Sequence, residues 1–312
     1  MKSSKVLLLS LGLAIFFMCG SSCKPEVEYE VIPGTLTLLV PGGIESDASA
    51  TSPCWSSDGS VIYYTYQEPQ IAPYGFPAPV WSVNVADSTR KKITDDEIGK
   101  IDISRQGNLC VYYKQEYTDD WIIIMETETW TPVDTILPVE KAKHSKLGDI
   151  CEIRFSYEYS DSNRILYYLY SENGITHLNR VNLDDSTDVM IVEDCHSVNF
   201  APGPGDTLFA FTGAIVNLNT GEKIVTEIGP GYEGSLDWNP ADPGELLVAG
   251  GISKEAYVCD LDSNKIRMFT VNDEMIWCAK YSPDGKRIAV ESLLDISEGN
   301  FERGSIWIFD PE

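Results

Sequence analysis

The chain has 312 residues, and 48 Asp and Glu set against 23 Lys and Arg give it a formal net charge of −25. Such a field repels nucleic-acid phosphates and anionic lipid headgroups alike, which argues against a nucleic-acid partner and against membrane binding through surface charge. The hydrophobic share of 43% leaves ample material for a core, and a repeat array of this length can form a single unit.

In chain order, residues 1–23 come first. Lys2 and Lys5 precede an apolar run from Val6 to Met18, which has the shape of an export signal and is too short to cross a bilayer. Gly20-Ser21-Ser22-Cys23 then resembles the lipobox of bacterial lipoproteins, with Gly20 where such sites usually carry Leu. The resemblance implies cleavage before Cys23 and its acylation, and hence a membrane anchor made of lipid. An ordinary secretory signal is the alternative. Removing Lys2 and Lys5 would take the net charge from −25 to −27. Residues 24–30 read as a tether, and its Glu26, Glu28 and Glu30 resemble the acidic export signals of surface lipoproteins in Bacteroidetes-type bacteria. The expected address is the cell envelope, as an outer-membrane lipoprotein facing the periplasm or the surface.

From residue 31 onward one pattern recurs. An aromatic or aliphatic residue ends a strand, a tight turn follows, and an apolar β-branched run opens the next strand. Tyr281-Ser282-Pro283-Asp284-Gly285-Lys286-Arg287-Ile288-Ala289-Val290 is its clearest form. Pro283 presets φ, Asp284 can accept from the backbone ahead of it, and Gly285 takes a positive φ without steric cost. The strand-ending markers are Trp55, Ile103, Phe155, Phe200, Trp238 and Tyr281, which lie 48, 52, 45, 38 and 43 residues apart by subtraction. A period near 45 residues with four strand signals per repeat predicts an all-β fold, a six-bladed β-propeller. Third strands are expected at Val80–Val85, Trp121–Met125, Thr176–Leu183, Ala214–Leu218, Ala256–Leu261 and Ser305–Phe309. The last repeat ends without a fourth strand, and residues 35–40, which alternate polar and apolar, are expected to supply it and close the ring. Lys141–Lys146 could form one helical turn or a loop.

These repeats resemble the PD40, or WD40-like, repeats of TolB-type six-bladed propellers over residues 31–312. The match is strong at Ser282–Val290, good at Trp55-Ser56-Ser57-Asp58-Gly59, and degenerate in the middle blades. TolB carries a further N-terminal α/β domain, so the resemblance implies a fold family and leaves function open. Peptidases of the dipeptidyl-peptidase type own similar propellers, but the resemblance is not expected to extend to their hydrolase domain.

Six cysteines lie beyond the signal: Cys54, Cys110, Cys151, Cys195, Cys259 and Cys278. None has the spacing of a zinc or redox site, and buried thiols are expected, with Cys151 and Cys195 the best placed for a disulfide. No G-x-S-x-G, H-E-x-x-H or phosphate-cradling loop occurs. His144, His177 and His196 scatter over an inter-blade loop, a third strand and an inner strand, with His196 facing the channel. Acids recur ahead of the inner strands: Glu45, Asp47, Asp95 to Glu97, Asp149, Glu193, Asp194, Glu233, Asp273 and Glu274. They could form a carboxylate ring at the channel mouth that attracts a divalent cation or a basic peptide. A chain this acidic also puts carboxylates in every loop.

The loops between second and third strands are longest in blades six, one and two, which the closed ring makes neighbours. They carry Phe301 and Arg303, Tyr74 and Phe76, and Tyr117 leading to Trp121. Loops longer than a hairpin needs are where binding concentrates. The leading expectation is a monomeric, lipid-anchored, non-enzymatic propeller without a cofactor. It would bind an envelope protein, peptide or glycan through these residues together with Asp194, His196, Glu233 and Glu274. The second is a propeller hydrolase or lyase acting on carbohydrate, with Asp194 or Glu233 as acid and base and a divalent metal. The third is a structural subunit of an assembly.

Overall fold

A shared serine turn builds the first hairpin in three of the blades. At its start Ser56, Ser104 and Ser282 accept the amides of Val61, Leu109 and Arg287 on their hydroxyls, at 3.0, 3.2 and 2.9 Å. Their own amides donate to the carbonyls of those same residues at 2.9, 2.9 and 2.8 Å. One serine thereby closes both sides of a loop that leaves the strand and returns to it, which is the work of side-chain to backbone bonding in turns. Asp58 and Asp284 stiffen two of these turns by accepting the amides of Ser60 and Lys286 at 3.0 and 3.2 Å. Gly285, at φ 70, meets two demands: a Cβ there would lie 2.1 Å from Asn239 Oδ1 of the preceding blade's turn.

The structure, a computed structural model, describes residues 29–42, 49–67, 78–96, 98–116, 119–136, 148–172, 174–197, 199–225, 234–250, 253–261, 265–293 and 304–312. The export signal, Cys23, residues 24–28 and the Lys141–Lys146 segment lie outside them.

The strands form six sheets of antiparallel hairpins. Blade 1 runs Ser49–Trp55, Val61–Gln67, Val80–Asn84 and Arg90–Lys92; blade 2 runs Ile101–Ile103, Leu109–Glu116, Asp119–Glu126 and Thr131–Ile136. Blade 3 comprises Gly148–Phe155, Ile165–Glu172, Ile175–Asn182 and Asp188–Val192, and blade 4 Phe200–Pro202, Leu208–Phe211, Ala214–Asn217 and Lys223–Val225. Blade 5 holds Leu236–Trp238, Glu245–Ala249, Glu255–Asp260 and Lys265–Thr270. In blade 6, Met275–Tyr281, Ile288–Leu293 and Gly304–Pro311 are completed by Gly34–Val40, which pairs antiparallel with Gly304–Pro311 as the outer strand. Each first strand touches the first strand of the next blade, and Met275–Tyr281 returns to Ser49–Trp55. The six-bladed propeller and its closure by the N-terminal strand stand as the repeats predicted.

Two features differ from the sequence reading. Glu30–Val31 adds a fifth strand to blade 5, parallel to Lys265–Thr270. In blade 4 the strand-ending position is Pro202, two residues after the marker Phe200, because Gly203 takes the turn position: its amide donates to the Leu208 carbonyl at 2.7 Å. Phe200 instead turns away from the channel, fully buried against Phe209 and Phe211.

The core follows the seams between blades. Among the described residues six apolar clusters are present, each shared by two neighbouring blades, such as Val111, Ile122 and Ile124 with Ile153, Phe155 and Leu166 across blades 2 and 3. The strand-ending tryptophans also bond across the seam. Trp55 Nε1 donates to the Lys280 carbonyl at 3.0 Å and Trp238 Nε1 to the Ala201 carbonyl at 3.1 Å. A tryptophan at that position thus supplies both apolar area and an inter-blade bond. Among the described residues no disulfide joins the six cysteines, Cys151 and Cys195 included.

Candidate functional site

Strand alternation sends every second residue of the inner strands toward the axis, so the channel wall is built in rings. The ring nearest the starts of the strands holds Ser52, Lys100, Glu152, Asn199, Ser235 and Cys278. The next holds Cys54, Asp102, Arg154, Ala201, Asp237 and Lys280, and the third is the turn ring of Ser56, Ser104, Ser156, Gly203, Asn239 and Ser282.

Charges of both signs alternate in the first two rings. Lys100 Nζ donates to Glu152 Oε2 at 2.6 Å and to Asn199 Oδ1 at 2.9 Å. Arg154 places Nε 2.8 Å from Glu152 Oε1 and Nη1 3.2 Å from Asp102 Oδ1. Lys280 donates to the Leu236 carbonyl at 3.2 Å and stands 3.8 Å from Asp237. Asp102 and Asp237, at equivalent positions of blades 2 and 5, accept the amides of Phe155 and Tyr281 in the next blade at 2.9 and 2.8 Å.

Burial and neighbouring charge compete in the titration of these groups. It pushes the Asp102 carboxyl above its ordinary value in spite of Arg154, Lys280 and the Phe155 amide. Burial would raise Glu152 too, but the Arg154 and Lys100 charges outweigh it and hold that carboxyl below the usual range. The Cys54 thiol, buried and beside Asp102, is pushed up to about 12 and stays protonated.

The charged girdle divides the channel. On the turn side a chamber of about 300 Å³ is lined by Trp55, Asp102, Arg105, Asp237, Trp238, Lys280 and Tyr281. On the other side lies a chamber of about 150 Å³ bounded by Lys100, Glu152, Asn199, Trp277 and Glu291. It continues into a groove of about 200 Å³ between blades 6, 1 and 2, lined by Thr51, Thr65, Gln67, Ala78, Gly99 and Tyr113. Ser52, Lys100, Trp277 and Glu291 face both lobes.

Irregular backbone aims two of them. The inner strand of blade 6 bulges between Ile276 and Cys278, making Trp277 the extra residue, and that of blade 1 bulges between Thr51 and Cys54. Ser52 sits in the bulge at φ 55, where a non-glycine residue is strained, and its amide donates to Glu291 Oε2 at 2.8 Å.

The residues expected to bind are placed as follows. Tyr74, Phe76, Tyr117, Glu233, Phe301 and Arg303 lie outside the described residues, as do His144, Glu45, Asp47 and Glu97. Gln67 and Ala78, which flank the Tyr74 loop, line the groove. Trp121 is half-buried on the third strand of blade 2 opposite Lys114. Glu274 is half-buried and accepts the Ser292 hydroxyl. His196 is off the inner strand, in the loop ahead of it. Its side chain is 81% exposed and its Nδ1 lies 3.0 Å from Asp194.

The described acids of the expected ring do not converge on one centre. Asp95 pairs with Lys92, Asp194 with His196 and Asp273 with Lys254, each beside its own strand ends. Among the described residues no three His, Cys, Asp or Glu side chains are grouped to hold a metal ion.

The residues that do converge carry a mark in the sequence: charged side chains at alternate positions in or just ahead of apolar strands, Lys100-Ile101-Asp102 and Glu152-Ile153-Arg154, with Asp237 and Lys280 each one residue ahead of the strand end. Trp277 and Glu291 carry no such mark, since a bulge cannot be read from alternation.

Neither a family model nor a curated protein matches the chain. Solved structures match it as folds. A chain of the mitotic checkpoint complex aligns at 14% identity and TM-score 0.55, over 92% of this chain and 97% of that one. The luciferin-regenerating enzyme aligns at 11% identity and TM-score 0.62, over 89% and 95%. TolB from Acinetobacter baumannii aligns at 15% identity and TM-score 0.51, over 70% of this chain and 56% of its own length. At these identities the likeness is one of architecture, and the TolB match supports a TolB-like propeller fold.

Proposed function

We propose that this chain is a non-enzymatic propeller of the cell envelope, held to the membrane through an acylated Cys23, that docks an envelope protein, peptide or glycan on the face where the mouth-side chamber opens. The observation that carries the reading is the groove between blades 6, 1 and 2, at the foot of the 67–79 loop, with Trp277 and Tyr113 in its walls. The alternative, carbohydrate hydrolysis, needs carboxylates poised to exchange protons with a substrate. Here Glu152, Asp102, Asp237 and Glu291 each hold a cation or a backbone amide across a seam, which suits a rigid recognition surface better. Deleting residues 68–77 and repeating a crosslinking pull-down from envelopes tests the site. Loss of the captured partner is expected; an unchanged set of partners would remove this face from the account.

A further inference from the structure

From the two-lobed cleft we infer a saccharide-binding site, one that takes a neutral oligosaccharide; the inference rests on the docking reading above and narrows it to one ligand class. Size comes first. Lobes of about 150 and 200 Å³ that open into each other match the low end of small-molecule sites, roughly 300–1,000 Å³, and not the broad flat area that a protein partner covers.

Charge comes second. The chain carries −25, yet inside the cleft Lys100 is neutralised by Glu152, and Arg154 by Glu152 and Asp102. Those ion pairs and the Glu291 carboxylate, which accepts the Ser52 amide, offer hydroxyls both donors and acceptors without a cluster of one sign to select a charged ligand. Those polar groups are fixed in direction. Asn199 holds Lys100, the Ser52 amide holds Glu291, and the Thr51 and Thr65 hydroxyls stand 2.7 Å apart.

Aromatic placement comes third. Trp277, put into the cleft by the bulge, faces both lobes, and Tyr113 walls the groove where Gly99 leaves room, since a Cβ there would come 3.1 Å from the tyrosine ring. Aromatic surfaces beside fixed hydrogen-bonding groups suit a ligand with an apolar C–H face and a hydroxylated rim, as a pyranose has. The strain at Ser52 fits a site whose backbone is held for binding.

The test uses the purified chain on an array of neutral oligosaccharides, with acidic oligosaccharides and short peptides as comparison arms. Affinities for the hits are then measured by calorimetry. At least one neutral oligosaccharide is expected to bind saturably. Trp277→Ala should weaken it by about tenfold or more, as truncation of an aromatic anchor does. Trp277→Phe should retain most of the affinity, and Ser57→Ala in the opposite chamber all of it, with unchanged melting temperatures throughout. No neutral binder on the array, binding confined to the acidic or peptide arm, or full affinity in Trp277→Ala would overturn the assignment. If the array fails while deletion of 68–77 still abolishes partner capture, the ligand class falls and the docking face stands. If array sugars bind and partner capture survives the deletion, the docking reading falls instead.

Discussion

Glu152 is the residue on which the channel's charge balance turns. Its carboxylate is 2.6 Å from Lys100 Nζ and 2.8 Å from Arg154 Nε, with its side chain 3% exposed. Removing one member of such a buried network leaves its partners uncompensated, which costs about 3–5 kcal/mol. Glu152→Gln is therefore expected to destabilise the fold by about that amount in urea denaturation near neutral pH. The sign of the pH dependence follows from the direction of the shift. A carboxyl held below its ordinary value contributes stability above its unfolded pKa, near 4.5, and loses it as pH falls through the lower folded value. The gap between wild type and Glu152→Gln should be full above about pH 5 and close progressively in more acid solution. A gap that widened on acidification would show that the Lys100 and Arg154 contacts do not govern this carboxyl. Asp102 has the opposite sign, because burial raises it, and the two cannot be merged into one acid limb.

At the scale of the element, the turn and the bulge account for what the sequence revealed and what it hid. The Ser-Pro-Asp-Gly turn is local chemistry, so its serine, aspartate and glycine announce the hairpin, and the four-strand repeat follows from counting such turns. Phe200 misled by two residues because Pro202-Gly203 replaced the usual aromatic-serine pair, and the buried phenylalanine nearby carried the same apolar signal. The site was harder to read. Trp277 enters the cleft through an extra residue, and Glu291 belongs to a second strand, so neither obeys the inner-strand alternation that betrays Lys100, Asp102, Glu152 and Arg154. Gly285 tests the turn directly. An alanine at its positive φ costs about 1–2 kcal/mol from handedness alone, and its Cβ would also displace Asn239 of the neighbouring turn. Gly285→Ala is expected to lower the unfolding free energy by more than that figure, and Gly174→Ala, at φ 79 with open space around it, by no more than that figure. Equal losses at the two positions would mean that the turns of blades 5 and 6 do not touch.

The whole molecule is a ring whose parts meet only their neighbours, so closure decides whether the cleft exists. Blades 6 and 1 form two of its three walls, and their seam is sealed by Leu39, Val40, Trp55, Ile62, Ile306 and Ile308 in one cluster. Two of those side chains, Leu39 at 4% exposure and Val40 at 0%, come from the N-terminal strand, and each stabilises the seam by roughly 1.5–3 kcal/mol through burial. The cleft proposed for recognition therefore depends on a segment more than 200 residues away in sequence from the strand it completes, as the antiparallel partners Leu36 and Phe309 illustrate.

The direct measurement is amide hydrogen exchange on the chain from residue 29 compared with the same chain begun at residue 41. The account predicts that loss of Gly34–Val40 strips protection first from Gly304–Pro311 and then from Ser49–Trp55 across the seam, while blades 3 and 4 keep theirs. Undiminished protection of Gly304–Pro311 in the shorter chain would contradict the closed ring, and the cleft between blades 6, 1 and 2 with it.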